Sequence, residues 1–394
     1  MTTFFVVCVL IMPWVLFPMK NLTYQCRTPQ GIFLNLIFMG LIAAYFRKGY
    51  SRDVAPYGYK NRYLSASVAY IFASLIFYYF IPIVIYGSFQ AYMTEQAFQV
   101  ILALFATYVA LTSFGKSDYI KIARALCLSS VLVSLFGIFQ IVGYDPMKSV
   151  FPGLGYVTTL YRSTNVMTAC LDNANLVGHY LALISPLFLY FREKKYYAGW
   201  GISLVAVIMS RSHFSLVCFG FATVVYALIF LKGNEHKKMR IAILLSIFLM
   251  LLAAQLTGNA IGKYMKLDSG MGRRFECWKA CFELIKKNPV IGMGLGTFKT
   301  MNVVLEGSWG MVYWPEAHND YLQYTIELGF AGAFLLLLVI INTIRNYTFK
   351  ERIGDAYFCM FLTFLLLMCG SFPVEVPTLA LLGLVSFWAT ERLA

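Results

Sequence analysis

The stretch Leu64–Tyr86, LSASVAYIFASLIFYYFIPIVIY, runs for 23 residues without a charged side chain. A helix needs about 20 consecutive apolar residues to cross the roughly 30 Å hydrocarbon core of a bilayer. This run satisfies that length, and similar runs recur along the chain. Twelve are predicted, at about 4–19, 29–46, 64–86, 97–113, 125–144, 173–191, 196–209, 213–231, 241–257, 324–344, 356–371 and 377–391. The seventh and eleventh are short for a bilayer. The first is read as a span and not as a removed signal peptide, because no basic region precedes it and no small-residue cleavage pattern follows.

Composition agrees with this reading. Of the 394 residues, 60% are hydrophobic and 13% are charged. Soluble domains are about half apolar and about a quarter charged. The mean hydropathy is +0.69. An ordinary soluble enzyme, a disordered chain and a nucleic-acid-binding module are all excluded. The formal charge of +14 has a simpler source than nucleic acid, since Lys and Arg collect in cytoplasmic loops and orient membrane proteins.

The charges also test the topology. With the N-terminus inside, the segments Arg47–Tyr63, Ser113–Arg124, Arg192–Lys195, Lys232–Arg240, Arg345–Ile353 and the C-terminus hold 19 of the 32 Lys and Arg residues. The short outside loops hold 5, namely Lys20, Arg27, Lys148, Arg162 and Arg211. The remaining 8 lie in one long outside loop, and long loops carry little weight in orientation. The split predicts twelve spans with both termini in the cytoplasm. The expected fold is an all-α polytopic membrane protein forming a single domain over 1–394. Its long loop, 258–323, falls between spans nine and ten on the outer face. No internal repeat is visible, and a nine-to-three division differs from the equal halves of many transporters.

Loops this long in compact proteins are usually functional or disordered, and this one is not of low complexity. Arg273–Lys287 reads as an amphipathic helix with Phe275, Trp278, Phe282 and Ile285 on its apolar side, suited to lying along the membrane surface. Asn288-Pro289 ends it, and a glycine-rich run, Gly292-Met-Gly294-Leu-Gly296, follows. The nine cysteines are scattered, mostly in apolar runs. Cys277 and Cys281 are the one close pair, and their spacing suits neither a disulfide nor a zinc site.

The polar residues at outer span ends are the candidates for chemistry. Arg211 sits in Ser210-Arg211-Ser212, a tiny link between two apolar spans. It either snorkels to the interface or pairs with an anion. His318 lies in Ala317-His318-Asn319-Asp320, just before a glycine-punctuated apolar helix containing Glu327, Gly329 and Gly332. Either Asn319 or Asp320 suits an N-cap there. His179 and His213 lie within span runs, where a satisfied buried imidazole is the default. Asn173 and Asn175 open the sixth span and suit capping or sugar binding. No Asp-x-Asp pair, His-Glu-x-x-His, Cys-x-x-Cys, phosphate loop or Gly-x-Ser-x-Gly elbow occurs. Neither a metal nor a cofactor is expected. Converging arginines suit a phosphate or diphosphate, and nearby positive charge keeps a histidine neutral and able to accept a proton. Outside the cell membrane the energy must arrive in a pre-activated lipid-linked donor, and a polyprenyl diphosphate sugar meets that need.

The stretch Arg274–Gly332 resembles the signature region of the O-antigen ligase and polymerase family. The resemblance rests on Arg274, Trp278, Pro289, Gly292, Gly294, Gly296, Phe298, His318, Asn319, Leu322, Glu327, Gly329 and Gly332. Upstream, Arg211 is similar to the family's Ser-Arg turn, Asn173 and Asn175 to its Asn-rich span start, and Arg162 to an arginine some ten residues earlier. Motifs cover roughly 155–335. Ser212 and His213 depart from the small-then-hydrophobic pattern that often follows the family's arginine, so the role of His213 stays open. Arg273 beside Arg274 makes the register ambiguous; the Trp278 spacing favours Arg274.

The resemblance implies an inner-membrane enzyme that moves a glycan from undecaprenyl diphosphate to an acceptor hydroxyl on the periplasmic face, with inversion and without a metal. It implies that His318 accepts or orients the hydroxyl proton and that Arg211 and Arg274 hold the diphosphate, with Arg162 assisting. Asn319, Asn173, Asn175 and Arg273 would support the site. The acceptor is lipid A-core for a ligase or a second lipid-linked glycan for a polymerase. The sequence leans to the ligase. A flippase or other transporter would need ionisable groups at membrane depth, and Glu327 is the main candidate.

Overall fold

The structure, a computed structural model, describes residues 1–15, 27–48, 63–80, 91–144, 167–171, 173–230, 271–301, 303–307, 310–349 and 351–394. Its helices are α1 (Thr2–Ile11), α2 (Arg27–Lys48), α3 (Leu64–Leu75), α4 (Ala91–Ser113), α5 (Lys116–Ile141), α6 (Ala174–Phe191), α7 (Lys194–Met209), α8 (His213–Phe230), α9 (Met271–Lys287), α10 (Asp320–Asn346), α11 (Arg352–Met368) and α12 (Pro377–Leu393). Every predicted span but one meets a helix; the ninth, 241–257, lies outside the described residues. By length and composition, four helices among the described residues can cross a membrane: Pro29–Arg47, Lys116–Ile141, Ala174–Phe191 and Asp320–Asn346. Thr2–Trp14, Leu64–Tyr78, Phe98–Ser113 and His213–Ala227 are shorter apolar helices.

Two details refine the expectations. The first helix stops at Ile11 because Pro13 removes an amide and clashes with the preceding turn, so a 3₁₀ turn, Met12–Trp14, follows. Among the described residues the all-α expectation holds apart from one short hairpin in the long loop. Strands β1 (Val304–Gly307) and β2 (Gly310–Tyr313) pair antiparallel in the long loop. Their four-residue runs, VLEG and GMVY, are too short to give a clear strand pattern in the sequence.

The core of the bundle is α6. Fourteen of its residues are buried, and it packs against α5, α7, α8 and α11. Gly178 lets α8 approach closely: a Cβ there would lie 2.5 Å from the Ser215 side chain. Interhelical hydrogen bonds from small polar side chains join the helices, as membrane bundles favour. Tyr180 donates to Ser129 (2.8 Å), Trp388 to Thr107 (3.0 Å) and Thr378 to Gln30 (2.7 Å). The outward faces are apolar. On α10, Phe330, Phe334, Leu337, Ile341 and Ile344 are all exposed at alternating four- and three-residue steps. A stripe of that kind is costly in water and natural against lipid. The chain is an integral membrane protein.

A second assembly, α9 with α10, α3 and the long loop, sits beside this bundle. Its geometry turns on a break in α10 at Gly329 (φ 68°, ψ 179°). The break frees backbone groups, and the glycine-rich loop takes them up. Met293 and Gly294 amides donate to the Ile326 and Glu327 carbonyls (2.9 and 2.8 Å), while Phe330 and Ala331 amides donate to the Pro289 and Val290 carbonyls (2.7 and 3.1 Å). Tyr70 and Tyr78 of the α3 segment donate to the Leu328 and Gly292 carbonyls (both 2.7 Å). Only glycine fits at the seam: a Cβ on Gly329 would lie 2.2 Å from the Val290 carbonyl oxygen.

Gly329→Ala should therefore lower stability by at least about 2 kcal/mol, since left-handed backbone alone costs an L-residue about 1–2 kcal/mol before the clash. Gly201→Ala is the control: it has nothing within 4 Å and lies in a helix, where alanine is preferred. Thermal unfolding in detergent should fall for the first and hold or rise for the second. An unchanged Gly329→Ala protein would contradict the seam.

Candidate functional site

The helix α9 presents two adjoining faces. Cys277, Cys281 and Ile285 are buried, whereas Phe275 and Phe282 are each 54% exposed. The four apolar residues expected on one face thus divide: Ile285 points inward, Phe275 and Phe282 outward, and Trp278 sits at the border. The inward side carries the contacts that build the site. Arg274 donates from Nη1 to the Gly370 carbonyl (2.9 Å), and Trp278 donates from Nε1 to the Ala317 carbonyl (3.0 Å). An arginine and a tryptophan one turn apart so tie α9 both to the end of α11 and to the residue before His318. Burial pulls the Arg274 guanidinium below its ordinary value, but an arginine remains charged at neutral pH. One N–H of five is spent on Gly370.

His318 is fixed from both sides. Its ring lies edge-on between Trp314 and Phe372, with centroids 4.8 and 4.7 Å away. The preceding peptide is held at both ends, because the Ala317 amide also donates to Gln323 Oε1 (3.1 Å). After it, Asn319 caps α10 by accepting from the Leu322 amide (3.1 Å) and donates from Nδ2 to the Cys369 carbonyl (3.0 Å). The cap expectation is met by Asn319, while Asp320 accepts from the Val374 amide (3.1 Å).

Behind His318 lies a buried polar network. Gln323 donates to Glu375 (3.1 Å), and Glu375 pairs with Lys299 (2.7 Å). Burial disfavours the charged Lys299 ammonium, but the carboxylates of Glu375, Glu316 and Glu327 outweigh it and hold the ammonium above the ordinary lysine value. Glu327 accepts from the Phe298 amide (3.3 Å), so it is engaged in pinning the 3₁₀ turn Thr297–Thr300.

The second corner comprises the starts of α6 and α8. Asn173 caps α6 by accepting from the Asn175 amide (2.8 Å), and the Asn175 carbonyl accepts from Ser215 (3.2 Å). Ser215 contacts His179 Nδ1 (2.8 Å), and His179 Nε2 contacts Ser371 (3.0 Å). This chain links the α6–α8 corner to turn 369–372, where Arg274, Asn319 and Phe372 meet. His179 is the satisfied buried imidazole expected. Arg211 and His213 are exposed at this corner. Arg162 lies outside the described residues, as does the side chain of Arg273.

Among the described residues, four non-glycine residues have left-handed φ: Ala169, Arg192, Arg211 (56°) and His318 (52°). Arg192 is an ordinary αL terminator of α6. Arg211 and His318 instead each sit two residues ahead of a helix start. Such conformations cost about 1–3 kcal/mol and collect at functional sites. Sequence reasoning missed Trp314, Phe372, Ser371 and Gln323. Turn Cys369–Pro373 has a Gly-Ser-x-Pro signature, but nothing local ties it to His318.

Comparison with known proteins adds two findings. The sequence model of the O-antigen ligase family matches residues 198–337, which include Arg211, Arg274, Trp278, His318 and the glycine-rich loop. A Rickettsia conorii protein provisionally named a polysaccharide ligase is 23% identical over 272 residues. The match takes in 64% of this chain and 63% of that protein, so the chain spans less than two thirds of its relative.

Lys299→Met should destabilise the protein by about 2–4 kcal/mol, since breaking one side of a buried ion pair strands the other charge. A raised lysine value means that this stability is fully present below the unfolded lysine pKa of about 10.4 and is lost as pH rises through the folded value. The gap between wild type and variant in thermal unfolding should therefore be constant at neutral pH and close above the lysine range. A gap that closed below pH of about 9 would contradict the pair.

Proposed function

We propose, from the match of residues 198–337 to the O-antigen ligase family, that the protein is a glycosyltransferase of the bacterial inner membrane. It moves a glycan from undecaprenyl diphosphate to an acceptor hydroxyl at the periplasmic face. The acceptor is the lipid A-core sugar of lipopolysaccharide. The observation that carries this reading is the strained left-handed backbone at both Arg211 and His318, the two residues that the chemistry needs. The charge distribution supports twelve spans with both termini in the cytoplasm. The name of the Rickettsia conorii relative favours a ligase over a polymerase.

The proposed step is a single displacement. The acceptor oxygen attacks the anomeric carbon as its bond to the diphosphate oxygen breaks. The electron pair leaves with undecaprenyl diphosphate. The His318 imidazole takes the hydroxyl proton. Its clamp between Trp314 and Phe372 limits ring rotation. Arg211 and the free N–H groups of Arg274 neutralise the charge gathering on the diphosphate. In this reading Arg162 assists with the diphosphate, and Arg273, Asn173, Asn175 and Asn319 have supporting roles. Attack opposite the leaving group inverts the anomeric centre, and guanidinium charge supplies what a metal ion does elsewhere.

His318→Ala and Arg211→Ala should each lower transfer by about 10²- to 10⁴-fold, the usual contribution of a general base or charge stabiliser. Arg274→Lys should also be impaired, because lysine lacks the planar fork. Gel analysis of glycan-bearing lipid in cells with equal protein levels reads all three. Normal transfer by both alanine variants would overturn the site.

A further inference from the structure

A cavity of about 430 Å³ opens at the other end of α6 and α11, where the start of α5, the end of α6 and the start of α11 meet. Lys116, Arg124, Arg352 and Glu351 line its polar side, and Ile120 and Phe191 its apolar side. Lys116 pairs with Glu351 (2.5 Å), and these two charges cancel. Arg124 and Arg352 make no ion pair among the described residues, which leaves a net charge of +2 in the cavity. The Arg124 guanidinium stands over the Phe191 ring at 5.8 Å, which positions it at the cavity mouth.

A stripe on α5 continues from this cavity. Leu128, Leu132, Leu135 and Phe139 are all exposed and follow Arg124 at four- and three-residue steps, on one face of the helix. From 128 to 139 the stripe is roughly 16 Å long at 1.5 Å per residue. One leaflet of the hydrocarbon core is about 15 Å deep. Two guanidinium groups at the head of an apolar track of that length match a phosphate head group with an acyl chain below it. The end of α6 that holds the cavity, at Phe191, is some 16 residues from Asn175, which is about 24 Å, most of the roughly 30 Å hydrocarbon thickness.

We propose that this cavity binds the head group of an anionic phospholipid in the leaflet opposite the glycan-transfer site, with one acyl chain along Leu128–Phe139. The ligand chemistry is a phosphate diester of net negative charge. The site does not depend on the transferase reading. It would anchor α5, α6 and α11 to the membrane surface from below.

The test is lipid retention by the full-length protein, read by native mass spectrometry during titration with phosphatidylglycerol or phosphatidylcholine. Wild type should hold phosphatidylglycerol in preference to phosphatidylcholine. Each arginine near a charged head group should contribute about fivefold in affinity. Arg124→Gln alone should then lose about fivefold, and Arg124→Gln/Arg352→Gln about 25-fold. Arg124 is exposed, so the single variant should unfold at the wild-type temperature without added lipid, and it decides the matter if the double variant fails to fold. Equal binding of the two lipids, or unchanged phosphatidylglycerol affinity in Arg124→Gln, would overturn the proposal. Full displacement of the lipid by millimolar inorganic phosphate would also overturn it, because the site would then read free phosphate.

Discussion

The structure around His318 depends on one backbone seam. A helix broken inside a membrane protein leaves amides and carbonyls that no water can satisfy, each costing several kcal/mol. Here α10 breaks at Gly329, and the loop after α9 supplies the missing partners from Pro289 to Gly294. That pairing fixes where the loop re-enters the protein. It brings Phe298 to Glu327 and Lys299 to Glu375. Glu375 holds Gln323, and Gln323 holds the Ala317 amide. The position of His318 thus follows, link by link, from a backbone constraint at Gly292 and Gly329.

The opposite side of the histidine segment is set by α9. Arg274 and Trp278 reach two different carbonyls, at Gly370 and Ala317, so one helical turn spans the gap between α11 and the long loop. Arg274 has a double use in this account. One donor fastens the architecture, and the others would serve the proposed diphosphate. A lysine, a point charge without a fixed fork, could not do both with the same geometry. The outward aromatic residues of α9, Phe275 and Phe282, suit the membrane interface, which would hold this helix beside the lipid of the proposed donor.

Much of this was legible before any coordinates. Apolar runs marked helices because a 20-residue apolar stretch has few other stable forms. Arg211, Arg274, His318 and Asn319 stood out because polar groups at span ends demand a reason. A cap at Asn319 or Asp320, and capping as one use of Asn173 and Asn175, followed from local chemistry alone. What stayed hidden is non-local. Phe372 and Ser371 lie more than 50 residues from His318 and nearly 200 from His179, and no pattern in a single sequence encodes those meetings. The break at Gly329 read only as a glycine in a helix, since its left-handed φ depends on a loop 35 residues earlier. The hairpin β1–β2 was overlooked because two four-residue strands carry little signal within an otherwise helical pattern.

The central claim is that the two strained residues serve transfer from a lipid diphosphate. Reconstitution tests it most directly. Purified protein is mixed with an undecaprenyl diphosphate-linked glycan and lipid A-core, and the products are resolved by gel and mass spectrometry. The account predicts glycan joined to lipid A-core with an inverted anomeric linkage and release of undecaprenyl diphosphate, all dependent on His318. Folded protein that transfers nothing to lipid A-core, or transfers equally well without His318, would contradict it.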